Sequence, residues 1–95
     1  MEIINNKKAF RFEALMENGE YAVVEYRWLK GNMVIMHTVV PAEYRKQGIG
    51  AAIMKYVLDY LREQHLKTVI YCPFAEKYVK EHPEYNDLVV RLPGR

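Results

Sequence analysis

The most informative segment of the chain reads Arg45-Lys46-Gln47-Gly48-Ile49-Gly50-Ala51-Ala52. It stands between a segment with the two-residue alternation of a β-strand and a segment with the 3.6-residue period of a helix. A helix usually begins with Ser, Thr, Asp or Asn, whose side chain accepts hydrogen bonds from the first free N–H groups. This helix begins with Gln-Gly instead, so several N–H donors are left without a side-chain acceptor. We expect these donors to form an anion site at the positive end of the helix, although two glycines also ease a tight turn.

The residues before this segment predict a three-stranded antiparallel meander. Residues 9–16 alternate between apolar and polar side chains, which is the pattern of a half-buried strand. Asn18-Gly19 follows, and this pair favours the positive φ angles of a tight hairpin turn. Residues 21–28 and 33–40 form the second and third predicted strands. Pro41 cannot donate a hydrogen bond to a sheet and therefore ends the third strand.

The residues after the segment predict a helix that crosses to a fourth strand. Apolar side chains recur at helical spacing over residues 48–64, and residues 68–72 are apolar without alternation, as in a strand covered on both faces. Such a crossover is right-handed and joins parallel strands, so the fourth strand is expected beside the third. Pro73 predicts the start of a second helix over Pro73–Glu81, and residues 88–90 predict a short last strand. The predicted fold is α+β, with a mixed sheet.

Length and composition limit the possible functions. With 95 residues, 51% of them hydrophobic and 27% charged, the chain is predicted to form one globular domain over residues 1–95. It has neither an apolar run long enough to cross a bilayer nor a secretory signal, so we expect a cytoplasmic protein without a membrane partner. The net charge is +2 and the basic residues are scattered, which argues against nucleic-acid binding. A single cysteine excludes an intrachain disulfide, and the three histidines and this cysteine lack the spacing of a metal site.

The order of the predicted elements resembles the acetyl-CoA-binding core of the GNAT acetyltransferase superfamily. Arg45, Gly48 and Gly50 match its signature, in which Gln or Arg is followed by x-x-Gly-x-Gly or Ala. Three further stretches resemble those of a subgroup of small single-domain proteins: residues 37–41, 72–75 and 82–85. The resemblance spans residues 10–90 and implies a minimal GNAT fold, without the N-terminal helices that usually build the acceptor pocket.

The resemblance also implies a binding site for acetyl-CoA or coenzyme A. In GNAT folds two parallel strands diverge, and the pantetheine arm of the cofactor bonds to the free edge of the strand before the glycine loop. On this chain that strand offers Val39 and Val40, and Phe74 in a matching stretch is also assigned to the cofactor. The residues assigned to the pyrophosphate are Arg45, Lys46, Gln47, Gly48, Ile49, Gly50 and Ala51. Solvated surface is the alternative interpretation for the two basic residues of this set.

Cys72 is the candidate nucleophile, and His37 and Tyr78 are the candidates for proton transfer. With Pro73 at the first helical position, Cys72 caps the second predicted helix, where the helix dipole favours thiolate over thiol. An inert buried cysteine is the alternative. His37 is expected on the core face of the third strand, either as a hydrogen-bonded core residue or as a base, and Thr38 is expected to point the other way. The resemblance implies that Tyr78 protonates the departing CoA, and core packing is the alternative.

These observations predict transfer of an acetyl group from acetyl-CoA to an amine or a protein lysine. The amine can attack the thioester directly, or the acetyl group can first pass to Cys72 as a thioester. One alternative is a non-catalytic module that binds acyl-CoA or has a regulatory role. Another is an interaction domain whose glycine loop binds nothing. The sequence is compatible with a monomer or a homodimer.

Overall fold

The computed structural model describes residues 1–91, which form one mixed sheet, two helices and three short 3₁₀ segments. The strands are β1 (Ile4–Asn6), β2 (Arg11–Leu15), β3 (Tyr21–Leu29), β4 (Asn32–Val39) and β5 (Thr68–Ile70), and the helices are α1 (Ile49–Glu63) and α2 (Pro73–Glu81). The strands lie in the order β1-β2-β3-β4-β5, and all neighbours are antiparallel except β4 and β5, which are parallel. The predicted α+β fold, with a helix crossing between two parallel strands, is confirmed.

The sheet contains one strand, β1, that the sequence does not predict. β1 pairs antiparallel with β2, so the predicted three-stranded meander is in fact four-stranded. β1 is three residues long and is too short to show the alternation that identifies a strand. The predicted strand over residues 88–90 is wrong, because Leu88 ends a 3₁₀ segment and Val89 makes an isolated bridge to Thr68.

The hydrophobic core lies between one face of the sheet and the two helices. Phe12, Val24 and Tyr26 face the helices from the strands and are at most 1% exposed. Because apolar side chains recur every three to four residues along α1, one face of this helix is buried. Its buried side chains are Ile53, Met54, Val57, Leu58 and Leu61. Neither helix of residues 1–91 has the length and apolar character needed to cross a membrane.

A β-bulge in β4 reverses which of its side chains face the helices. Tyr26 of β3 lies opposite Ile35, whereas the residue before it lies opposite His37. Met36 is therefore an extra residue on β4, and the alternation of side chains changes phase there. As a result Thr38 lies on the helix side and His37 lies exposed on the other face. The predictions of a core position for His37 and an outward position for Thr38 are both wrong, because strict alternation does not register an inserted residue.

Candidate functional site

β4 and β5 diverge at one end of the sheet. Their parallel pairing ends where Ile35 lies beside Ile70, and the N–H of Tyr71 donates a further hydrogen bond of 2.9 Å to the Ile35 carbonyl oxygen. β5 stops there, whereas β4 continues to Val39. Pro73 explains the stop, because it has no N–H to donate to a ladder and it favours the first position of a helix. A gap therefore opens between the end of β4 and the start of α2.

The first turn of α1 lies beside this gap with unpaired N–H groups. Gly48 caps the helix in the left-handed conformation, with φ 80° and no side-chain hydrogen bond. The first hydrogen bond of the helix runs from the N–H of Ala52 to the carbonyl oxygen of Gly48, at 3.0 Å. Within residues 1–91, the N–H groups of Ile49, Gly50 and Ala51 have no acceptor. Three free donors at the positive end of a helix form a site for an anion.

A cavity of about 330 Å³ joins the strand gap to the first turn of α1. Gly50 keeps it open, because a Cβ at this position would lie 3.2 Å from Cζ of Phe74 and 3.6 Å from Cγ2 of Val40. Val39 and Gln47 do not line the cavity. The residues assigned to the cofactor that do line it are Val40, Arg45, Lys46, Gly48, Ile49, Gly50, Ala51 and Phe74.

Two basic residues line the cavity. Nε of Arg45 donates a hydrogen bond of 3.0 Å to the carbonyl oxygen of Val40, which holds the guanidinium beside the end of β4. Neither Arg45 nor Lys46 forms an ion pair with another of the described residues. Their positive charge therefore adds to that of the helix terminus and favours an anionic ligand.

The sequence did not predict two of the residues that line the cavity, Thr38 and Tyr44, as site residues. Thr38 lines it because of the bulge, for which a single sequence gives no signal. Tyr44 lines it from the loop after β4, and its hydroxyl oxygen accepts a 3.0 Å hydrogen bond from the N–H of Asn18 in the first hairpin. An aromatic residue inside an otherwise polar loop was the available sign that this loop packs against the domain.

Cys72 lies next to the cavity and contacts one of its walls. The side chain is buried, with 3% of its surface exposed, and Cys72 occupies the cap position of α2 as predicted. Its Sγ does not bond to the helix; it lies 3.3 Å from Oγ1 of Thr38, and either atom can donate the hydrogen bond. Because Thr38 lines the cavity, the contact between the Cys72 thiol and the Thr38 hydroxyl lies at the cavity wall.

The two candidates for proton transfer lie elsewhere. Tyr78 is buried in α2, where burial raises its pKa, and its ring stacks on that of His82 with the centroids 4.1 Å apart. It lines a neighbouring cavity of about 140 Å³ instead of the larger one. His37 is exposed on the opposite face of the sheet. Of the three residues considered for chemistry, Cys72 is the one that the fold places beside the larger cavity.

Comparison with known proteins identifies the family. The sequence profile of the GCN5-related N-acetyl-transferase family matches residues 11–88. Protein NATD1 of Gallus gallus is 34% identical over 86 residues, which cover 87% of this chain and 77% of that protein. Protein NATD1 of Danio rerio is 30% identical over 95 residues, which cover 95% of this chain and 86% of that protein. The NMR solution structure of a GCN5-like protein from Staphylococcus aureus superposes with a TM-score of 0.74 and 29% identity, covering 99% of this chain and 92% of that one. The chain therefore belongs to the GCN5-related N-acetyltransferase family.

Proposed function

We propose that this protein binds acetyl-CoA in the cavity between β4 and α1 and transfers the acetyl group to an amine, either a small amine or a protein lysine. The observation that carries the proposal is the group of three N–H donors without acceptors at Ile49, Gly50 and Ala51, beside a gap between parallel strands. A pyrophosphate can accept hydrogen bonds from these donors, and Gly50 leaves space for its approach. Membership in the acetyltransferase family supports the same ligand.

The strand gap fits the pantetheine arm of the cofactor. The arm carries two amide groups, which can pair with the edge of β4 beyond Ile35 as an added strand does. An arm that starts from the pyrophosphate and follows this edge brings its thioester to Thr38, whose hydroxyl contacts the Cys72 sulfur. Arg45 and Lys46, which line the same cavity, then face the phosphates.

The acetyl group is proposed to pass through Cys72. The sulfur of Cys72 attacks the thioester carbonyl carbon as its proton moves to Oγ1 of Thr38, 3.3 Å away, which passes its own hydroxyl proton on. The bond between that carbon and the CoA sulfur breaks, and the CoA thiolate takes the released proton. An amine then attacks the acetyl carbon of the acetyl-cysteine, the bond between this carbon and the Cys72 sulfur breaks, and the Cys72 thiolate takes up the proton that the amine loses.

Mass spectrometry of the intact protein tests this route. Because the chain has one cysteine, we expect acetyl-CoA to add a single acetyl group that hydroxylamine removes, as it removes thioesters. Cys72→Ala should lose the label and keep its affinity for CoA in calorimetry. Label that persists on Cys72→Ala would disprove the cysteine route, and turnover of an amine by this variant would establish direct transfer.

A second candidate function is an acyl-CoA-binding module without turnover. It is favoured by the composition of the cavity wall, since no histidine, aspartate or glutamate of residues 1–91 lines the larger cavity. Release of free CoA in the presence of a library of amines and lysine peptides separates the two candidates. An enzyme releases CoA in proportion to the acceptor, whereas a binding module shows a calorimetric affinity and no acceptor-dependent release.

A further inference from the structure

One corner of the sheet is open to solvent on both of its faces. β2 begins opposite Glu25, so the last residues of β3 have no neighbouring strand on that side. Successive side chains of a strand point to opposite faces, yet Arg27, Trp28 and Leu29 are all exposed. A corner that is open on both faces has no walls, whereas a small ligand binds in a concave pocket. The corner therefore fits a partner with an extended surface.

A buried tyrosine holds the exposed rings of this corner in place. The ring of Tyr26 meets that of Trp28 edge-on at 5.7 Å between centroids and that of Phe10 at 6.2 Å. Phe10 lies beside the end of β3, because its carbonyl oxygen accepts a 2.9 Å hydrogen bond from the N–H of Tyr26. Phe10, Trp28 and Leu29 are between 40% and 45% exposed. They form an apolar surface of the kind that marks an interaction site.

Four basic residues flank this apolar surface. They are Lys7, Lys8, Arg27 and Lys30, all of them exposed. The guanidinium of Arg27 lies 5.5 Å from the ring centroid of Phe10. None of the four forms an ion pair with another of the described residues. The two segments that build the corner, residues 5–11 and 26–33, contain no acidic residue. The fold thus gathers cations that are scattered in the sequence, and the corner is complementary to an anionic surface.

We propose that this corner binds the surface of an anionic lipid bilayer. Its apolar side chains enter the interfacial region, and its four cations contact the lipid headgroups. Tryptophan and other apolar side chains beside Lys and Arg are the composition of an interfacial binding site. Leu29 favours a bilayer over a nucleic acid, because an aliphatic side chain inserts among lipid chains, whereas bases stack on aromatic rings. Peripheral binding needs neither a spanning segment nor a signal sequence, the two features whose absence led us to expect no membrane partner.

The proposed contact leaves the larger cavity accessible. β4 begins at Asn32, opposite Leu29, and ends at Val39 beside the strand gap. At roughly 3.3 Å per residue, the strand separates the corner from the gap by about 25 Å. A protein bound to a bilayer by this corner keeps the cavity open to a soluble ligand. The inference therefore goes beyond the proposed function and does not depend on it.

Vesicle binding with the full chain tests the inference, because Trp28 is the one tryptophan of the chain and reports on the corner directly. The probes are vesicles of phosphatidylcholine and vesicles of phosphatidylcholine and phosphatidylserine in equal parts. We expect the Trp28 emission to shift to shorter wavelength with the anionic vesicles alone. In sedimentation, Lys30→Gln should lower the partition coefficient about fivefold, the effect of one basic residue near an anionic surface. The double variant Lys7→Gln with Lys8→Gln should lower it roughly thirtyfold.

The matched control is Lys80→Gln, which removes an exposed lysine of α2 outside the corner and should bind within twofold of the wild type. Absence of binding to the anionic vesicles would overturn the inference, and so would equal binding to both kinds of vesicle. Binding with an unchanged Trp28 emission would also overturn it, because the contact would then lie on another face. A single-stranded oligonucleotide that shifts the Trp28 emission, when the anionic vesicles do not, would replace the bilayer by a nucleic acid.

Discussion

Replacement of Gly50 by alanine should change the affinity for acetyl-CoA while leaving the stability of the fold nearly unchanged. Gly50 lies in the first turn of α1 and does not have the left-handed backbone of Gly48, so alanine is conformationally acceptable there. Alanine is favoured over glycine in a helix by roughly 0.5–1 kcal/mol. Against this gain, the new Cβ would lie 3.2 Å from Cζ of Phe74, whose ring must move by a few tenths of an ångström. Because that ring is 40% exposed, it can move. We expect the free energy of unfolding to change by less than about 1 kcal/mol.

The same methyl group should weaken acetyl-CoA binding strongly. It would occupy the space between Val40 and Phe74, within the larger cavity. If it displaces the pyrophosphate from one N–H donor, the loss is that of a hydrogen bond to a charged group, about 1.5–3 kcal/mol. The dissociation constant should therefore rise by roughly ten- to a hundredfold. Isothermal titration calorimetry measures this change, and urea unfolding of the same sample measures stability.

Gly31→Ala is the matched control. Gly31 has φ 82° in the turn between β3 and β4, no atom lies within 4 Å of its added Cβ, and it does not line the cavity. Alanine in a left-handed conformation costs about 1–2 kcal/mol, so this variant should lose stability and keep its affinity. The two glycines should thus show opposite patterns. If Gly50→Ala binds acetyl-CoA within twofold of the wild type, the phosphates do not lie on the first turn of α1 and the reasoning fails.

Three further substitutions test the parts of the site separately. Arg45→Ala removes a partner of the phosphates and should lower the affinity for CoA about tenfold. Its affinity for pantetheine should not fall, because the substitution also frees the carbonyl oxygen of Val40 at the end of β4. Calorimetry with both ligands measures the two affinities. Thr38→Val keeps the shape of the side chain and removes the hydroxyl that contacts Cys72. The rate at which acetyl-CoA labels the protein should therefore fall, while the affinity for CoA stays unchanged. An unaltered labelling rate would exclude the hydroxyl from the reaction. Burial raises the pKa of Asp59, but hydrogen bonds, including one from Tyr85, outweigh burial and leave this pKa below its usual value. The stability that this ionised carboxyl contributes is present at neutral pH and is lost as the pH falls below about 4. Tyr85→Phe should therefore lower the free energy of unfolding at pH 7 and lower it much less at pH 3. Urea unfolding at the two pH values measures both effects.

The sequence predicted those parts of the fold that local chemistry determines. α2 was predicted with its observed bounds, because a proline can start a helix and another disfavours helical geometry just before it. The uncapped start of α1 also follows from local chemistry, since Gly48 has no side chain with which to accept hydrogen bonds from the first N–H groups. The parts that were missed depend on tertiary pairing. β1 is defined by its hydrogen bonds to β2, and the bulge at Met36 is visible only against the partner strand. For this reason the sequence placed His37 and Thr38 on the wrong faces.

The gap at the centre of the candidate site arises from two interruptions at the same level of the sheet. On β4 the extra residue Met36 follows directly after Ile35, the last residue paired with β5. On the other side, Pro73 ends any extended pairing within three residues of Ile70 and begins α2. A bulge alone would leave β5 free to continue beside β4, and an early helix alone would leave Thr38 facing away from Cys72. Because the bulge and the start of α2 occur at the same level, β4 and β5 separate and the Thr38 hydroxyl points toward the Cys72 thiol. The features that end the pairing of β4 with β5 are thus the same ones that form the candidate site.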